Sequence, residues 1–272
     1  MGDYIMGRTA AEAERLEIQA AMYAPHTEHL LRLAGVGPGM RVLDIGCGLG
    51  DVTMLAAHIV GPTGHVIGAD VNPDMVLAAR QRAKESDVDN VTFVRAEIPD
   101  VPVDGLVDAV IGRLILMHLP DPAAAVRSLR SLVRPGGIVS FQEVDVIYAT
   151  SPRAVPLAAT CLRWCEAACR LGGGPLRGGR LGSILRDAGL NVAGMAVETP
   201  VTHDPESPDY RYYAGTVTSL LPLIIGHGVA TGEEVGVDTL LDRLRAEARD
   251  TGAVAYPPEL VGAWAIEGAG RV

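Results

Sequence analysis

Between Met40 and Gly50 the chain reads Met-Arg-Val-Leu-Asp-Ile-Gly-Cys-Gly-Leu-Gly, and this stretch narrows the available folds more than any other. Val42, Leu43 and Ile45 form a short apolar run, interrupted by Asp44 and stopped abruptly by glycine. That is the pattern of a buried parallel strand feeding a tight turn. Gly46, Gly48 and Gly50 let the backbone reverse and approach a ligand where any Cβ would collide. The residues from Asp51 onward follow at helical spacing, with Asp51 suited to a first turn. Strand, glycine turn and helix N-terminus in this order mark a ligand crevice at the edge of an open α/β sheet.

Two nucleotide-like ligands use such a turn. A dinucleotide fingerprint, G-x-G-x-x-G, would place glycine at position 51, where this chain has Asp. The spacing here is G-x-G-x-G, with Asp44 two residues ahead of it. An acid beside the turn suits a cationic ligand better than a doubly anionic pyrophosphate. Residues 65–70, His-Val-Ile-Gly-Ala-Asp, read as a second buried strand ending in Asp70, one βαβ crossover further on. A carboxylate at that point can accept both hydroxyls of a ribose.

At Val42 to Gly50 the sequence resembles the class I S-adenosylmethionine-dependent methyltransferases, whose first motif runs (V/L)-L-(D/E)-x-G-x-G-x-G. The acids at 44, 70 and 97 and the Pro-Gly-Gly at 135–137 occur in that family's order, so the resemblance covers roughly residues 40–145. It implies an α/β fold: a Rossmann-like seven-stranded sheet of order 3-2-1-4-5-7-6, helices on both faces, an N-terminal helical lid and C-terminal helical insertions. The implied division is 1–36 as lid, 37–200 as cofactor-binding core with a helical insertion at 150–178, and 201–272 as helical substrate cap plus last strand. The implied cofactor is S-adenosyl-L-methionine (SAM). Asp44, Gly46, Cys47, Gly48 and Gly50 would line its turn, and Asp70 would take its ribose. Val71, Asn72 and Met75 would lie beside it, with Asn72 also a natural N-cap and Pro73 fitting the first helical turn. Ala96, Glu97 and Ile98, at the end of the strand from Val91, would flank the adenine. Arg113, after a fourth strand beginning near Leu106, would hold the methionine carboxylate or a substrate anion. Gln19 is a further cofactor contact.

The sequence offers two groups for acid–base work. Glu143 ends an apolar strand from Ile138 and is the first choice to take a proton or face a developing cation; as a strand-end acid it also reads as a loop cap. His118 has a reference pKa near working pH, yet His-Leu-Pro-Asp is equally a plain helix start capped by Asp121. Substrate-binding candidates are Tyr4 and Tyr23 in the N-terminal helices, Gln142 beside Glu143, Arg177 in a glycine-rich loop at 172–182, and Tyr213 in a later helix. Pro25 is expected to separate a helix over 9–24, capped by Thr9, from a second over 26–34. Gly262 is expected to weaken a last strand near 260–266.

Composition sets the outer limits. The 272 residues are 48% hydrophobic but only 4% aromatic, so the core is mainly aliphatic. A net charge of −10 and a pI near 5.1 argue against duplex nucleic acid as a partner. The apolar run at 217–226 is too short to span a bilayer and is broken by Pro222 and Gly226, so no membrane association is expected. No secretory leader pattern opens the chain, and a cytoplasmic location is the expectation. Cys161, Cys165 and Cys169 recur every fourth residue and share a helix face; the iron–sulfur loop spacing C-x3-C-x2-C differs by one residue, and no metal is expected. The reading is an enzyme that moves a methyl group to O, N or C of a hydrophobic or aromatic small molecule, such as a prenyl or quinone-like compound in secondary metabolism. The alternatives are a SAM-binding protein of the same fold with a non-methylating reaction such as cyclisation, and a non-catalytic SAM-binding subunit. An NAD oxidoreductase is opposed by Asp44 and Asp51. A homo-oligomer is compatible with all of these.

Overall fold

A computed structural model describes residues 10–146, 154–172, 174 and 178–268, with side chains from Glu14 onward. The elements are α1 (Ala10–Leu33), β1 (Arg41–Ile45), α2 (Asp51–Val60), β2 (His65–Asp70), α3 (Pro73–Glu85), β3 (Val91–Arg95), β4 (Val107–Arg113), α4 (Pro122–Leu129) and β5 (Val133–Asp145). Then follow α5 (Pro156–Leu171), α6 (Leu181–Asp187), β6 (Val192–Glu198), α7 (Asp209–Gly226), α8 (Gly232–Val235), α9 (Val237–Thr251) and β7 (Glu259–Ile266). The seven strands form one sheet in the order β3-β2-β1-β4-β5-β7-β6, as the resemblance implies. β1 pairs in parallel with β2 and β4, setting Asp44 opposite Gly68 and Ile111. Glu267, just past β7, exchanges backbone hydrogen bonds with Gly136 and Gly137 of β5, the reciprocity of antiparallel neighbours.

Central strands of a two-sided sheet must be apolar on both faces. Leu43, Ile45, Val110, Val139 and Phe141 point to one side, against Val126 and Leu129 of α4 and Leu181 and Leu185 of α6. Val42, Val66, Ala109, Ile111 and Ile138 point to the other, against α2 and the end of α1. Each fully buried aliphatic side chain contributes roughly 1.5–3 kcal/mol. A half-exposed ion pair such as Arg82–Asp51 contributes at most about 1 kcal/mol, so burial holds the sheet together.

The chain divides into two compact units. The sheet unit comprises Ala24–Glu143, Arg177–Val197 and Val261–Val272; the helical unit comprises Met1–Tyr23, Val144–Leu176 and Glu198–Leu260. In the helical unit α5, α7 and α9 bury Leu162, Val217, Leu220, Leu240 and Leu244 together with all three α5 cysteines. Those thiols are free and buried, and burial pushes the Cys161 pKa to about 12. They pack as small apolar side chains. Among the described residues no His, Cys, Asp and Glu side chains gather to hold a metal ion, and no helix is long and apolar enough to cross a membrane.

Several local expectations change. α1 runs unbroken through Pro25, which is exposed. The helix tolerates the lost backbone hydrogen bond because packing of Met22 and Tyr23 before it, and Leu30 and Leu31 after it, fixes both halves. β5 begins at Val133 rather than Ile138: two residues along β4 face five along β5, so Pro-Gly-Gly is an irregularity inside the strand rather than a reversal before it. β3 stops at Arg95, leaving Glu97 in an exposed turn bridged to Asp100. Gly262 does not weaken β7; a Cβ there would stand 2.8 Å from Leu30 Cδ2, so the glycine is what lets α1 lie against the strand.

Candidate active site

The carboxyl ends of β1, β2, β4 and β5 carry the predicted site. β1 ends at Ile45, and Gly46, Gly48 and Gly50 follow with φ of +69°, +52° and +83°. The three glycines differ in what requires them. A Cβ on Gly46 would stand 2.6 Å from Ile115, and one on Gly50 would stand 2.9 Å from the Phe93 ring. At Gly48 no atom lies within 4 Å of that position, so this residue presents bare backbone to open space.

Asp70, at the end of β2, is built into the same turn. Its Oδ2 accepts the Gly48 amide at 2.9 Å and its Oδ1 accepts the Asn72 amide at 2.8 Å. Each carboxylate oxygen keeps a second lone-pair direction, so this geometry orients the group without exhausting it. Asn72 caps α3, its Oδ1 accepting the Asp74 amide at 2.9 Å, with Pro73 in the first turn. Val71 and Met75 are half-buried beside it. The Ala96 amide donates to the Asp70 carbonyl at 2.9 Å and ties the segment after β3 to this edge; Ile98 packs on the sheet core and Glu97 is exposed.

Asp44 is buried, 1% exposed, and its Oδ2 accepts the Thr53 hydroxyl at 2.6 Å. Burial raises its pKa to about 7; the Thr53 bond and the Arg113 charge act in the opposite direction, and the charges of Asp70 and Asp51 add to the rise. The Cys47 side chain faces α3 in a cluster with Val76, Ala79 and Phe93, and burial, with Asp44 and Asp70 adding, drives its pKa far upward. It is no nucleophile. Two carboxylates flank the turn, a donor set that fits a cationic nucleoside and opposes a pyrophosphate.

On the adjoining strands Arg113 Nη1 donates to Thr27 Oγ1 at 3.0 Å, and Gln142 Nε2 donates to the Thr27 carbonyl at 3.3 Å. Glu143 is fully buried, and its Oε1 accepts the Leu116 amide at 2.7 Å. That bond anchors the 3-10 turn Leu116–His118 after β4. His118 is exposed at the end of this turn, and desolvation of the ring lowers its pKa, leaving the imidazole neutral at pH 7. The structure thus brings Asp44, the glycine turn, Asp70, Arg113, Gln142 and Glu143 to one edge of the sheet unit.

The remaining candidates fall in the helical unit or outside the described residues. Gln19 accepts Arg15 Nη1 at 2.9 Å, and Arg15 lies over the Tyr212 ring at 5.8 Å from its centre. The Tyr23 hydroxyl donates to the Pro258 carbonyl at 2.7 Å. Tyr213 is 1% exposed, and its hydroxyl has no hydrogen-bond partner among the described residues. A groove of about 420 Å³ lined by Glu17, Ile18, Ala21, Met22, Pro208 and Asp209 holds none of the predicted residues. Tyr4, Thr9 and Arg177 lie outside the described residues. Sequence reasoning missed Thr53 and Thr27. Thr53 had a local signal, a hydroxyl in the first turn of the helix after the glycine turn. Thr27 had none, since its partners lie 86 and 115 positions away.

A sequence profile described as a methyltransferase domain matches residues 37–189. An arsenite methyltransferase from Halobacterium salinarum is 38% identical over 135 residues, which is 49% of this chain and 34% of that protein. A ubiquinone/menaquinone biosynthesis C-methyltransferase from a Shewanella species is 35% identical over 111 residues, 40% of this chain and 44% of that protein. The chain therefore spans less than half the length of these curated relatives. A SAM-dependent methyltransferase from Aquifex aeolicus superposes with a TM-score of 0.54 at 20% identity, over 70% of this chain and 93% of that one, a likeness of fold.

Proposed function

The chain belongs to the methyltransferase domain family, and from that premise we propose that it is a SAM-dependent methyltransferase acting on O, N or C of a hydrophobic or aromatic small molecule. The observation that carries this reading is Asp70, held by the Gly48 and Asn72 amides beside a stretch of backbone that faces open space. Bound SAM supplies a methyl group activated on a sulfonium. In this reading Asp70 accepts the ribose hydroxyls, and Gly46, Cys47, Gly48 and Gly50 offer backbone to the ligand. Val71, Asn72 and Met75, with Ala96, Glu97 and Ile98, flank the base. Arg113 takes the carboxylate. Asp44, when ionised, would add negative charge that favours a cationic ligand.

The protein's task in methyl transfer is chiefly to align donor and acceptor and to exclude water. Glu143, fixed by its bond to Leu116, is the proposed proton acceptor where the nucleophile must lose a proton; neutral His118 is the second. A quinone-like or prenyl acceptor, as in secondary metabolism, is favoured over a thiophilic one, because the three α5 thiols are packed in an apolar core with raised pKa values.

Calorimetric titration with SAM, S-adenosylhomocysteine and NAD tests the reading. Micromolar binding of the first two is expected, weakened about thirtyfold in Asp70→Asn, the loss of roughly 2 kcal/mol of charge-assisted hydrogen bonding. Binding of NAD alone, or of none, would overturn it. Transfer of labelled methyl from SAM to a panel of quinols, phenols and amines then separates methyl transfer from a non-methylating SAM-binding role.

A further inference from the structure

Arg113 ends β4 and pairs in direct register with Gln142, three residues before the end of β5, and both reach the same residue of α1. Gln142 is 2% exposed, and its Oε1 has no hydrogen-bond partner among the described residues. Its amide nitrogen donates to a carbonyl inside a helix, which already receives the intrahelical bond from four residues on. A leucine at 142 would fill the same space, leave that carbonyl satisfied, and bury no unpaired oxygen. Structure alone therefore disfavours glutamine here, since a buried acceptor lacking a donor is a cost to folding.

We propose that Gln142 is a specificity-determining residue of the cofactor site, its Oε1 accepting an N–H from the ammonium at the amino-acid end of SAM. The inference rests on the SAM-binding reading above. Along the carboxyl edge the order is Asp70 on β2, Asp44 and the glycine turn on β1, Arg113 on β4 and Gln142 on β5. Neighbouring strands lie about 4.8 Å apart. A nucleoside with its ribose on Asp70 and its length along that edge runs past β1 toward β4, where Arg113 pairs in register with Gln142. The far end of SAM is a zwitterion and needs a donor and an acceptor side by side. Paired Arg113 and Gln142 are a guanidinium beside an unused amide oxygen. Thr27 fixes both, holding Arg113 through its hydroxyl and Gln142 through its carbonyl.

The test compares S-adenosylhomocysteine with 5′-methylthioadenosine, which keeps the nucleoside thioether and lacks the amino-acid end. Titration of wild type, Gln142→Leu and the equally long Gln142→Met is read beside thermal melting of the free proteins. Both variants are expected to bind S-adenosylhomocysteine about tenfold more weakly, to bind methylthioadenosine as wild type does, and to melt no lower than wild type. Unchanged S-adenosylhomocysteine affinity, or equal weakening of both ligands in a folded variant, overturns the assignment while leaving the SAM reading intact. Failure of wild type to bind S-adenosylhomocysteine overturns both.

Discussion

Burial in the fold strongly changes the chemistry of the Asp44 carboxyl. It loses the proton near 3.8 in the unfolded chain and near 7 in the native one. Between those values the native state holds more protons, so stability falls as pH rises through that window and levels off above it. The full span corresponds to at most about 4 kcal/mol. Asp44→Asn keeps an acceptor for the Thr53 hydroxyl and cannot ionise. Denaturant unfolding is expected to show this variant about 2 kcal/mol more stable than wild type at pH 8, with the difference shrinking toward pH 4. The same charge attracts a sulfonium, so SAM affinity should climb from pH 6 to pH 8 relative to neutral S-adenosylhomocysteine and lose that dependence in the variant. Equal pH profiles for the two ligands in wild type would detach Asp44 from the cation.

The turn between β1 and α2 separates the demands of folding from those of binding. Gly50→Ala sets a methyl against Phe93 at a left-handed backbone angle, and chemical unfolding should report a loss of about 2–4 kcal/mol. Gly48→Ala meets nothing in the protein and should lose only about 1 kcal/mol, yet reduce SAM affinity sharply because its methyl occupies the ligand's side of the turn. The reverse ranking would mean that the open side of Gly48 is not the binding face. These elements were readable in advance because their causes are local: apolar runs ending in glycine, Asp70 one crossover later, Asn72 and Asp121 accepting amides two and three residues on. The continuation of α1 through Pro25, the early start of β5 and the role of Thr27 were not. Each is decided by residues far along the chain, such as Gly262 receiving Leu30 or Gln142 reaching the Thr27 carbonyl. The buried cysteines show the middle case, since periodicity puts them on one face but only packing shows that the face is interior.

Across the whole molecule, the proposed ligand contacts cluster at one edge of the sheet unit, and amide exchange can map that. Adding S-adenosylhomocysteine should slow exchange at 44–54, 68–74 and 113–118 while leaving α9 as it was, because a ligand that binds only native chain stabilises the segments it holds. Protection concentrated in α9 would place the site elsewhere.

The strand order has a consequence for synthesis. Of the seven strands in this sheet β7 is made after the other six, yet it lies between β5 and β6. Until residues 259–266 emerge, β6 has no neighbour to pair with, and β5 exposes the unpaired flank of a hydrophobic sheet. The nascent chain thus waits with a sticky interior edge through some sixty residues made after β6. A stop codon after Pro258 would make that pause permanent, and the shortened protein should collect in aggregates rather than fold into a smaller sheet.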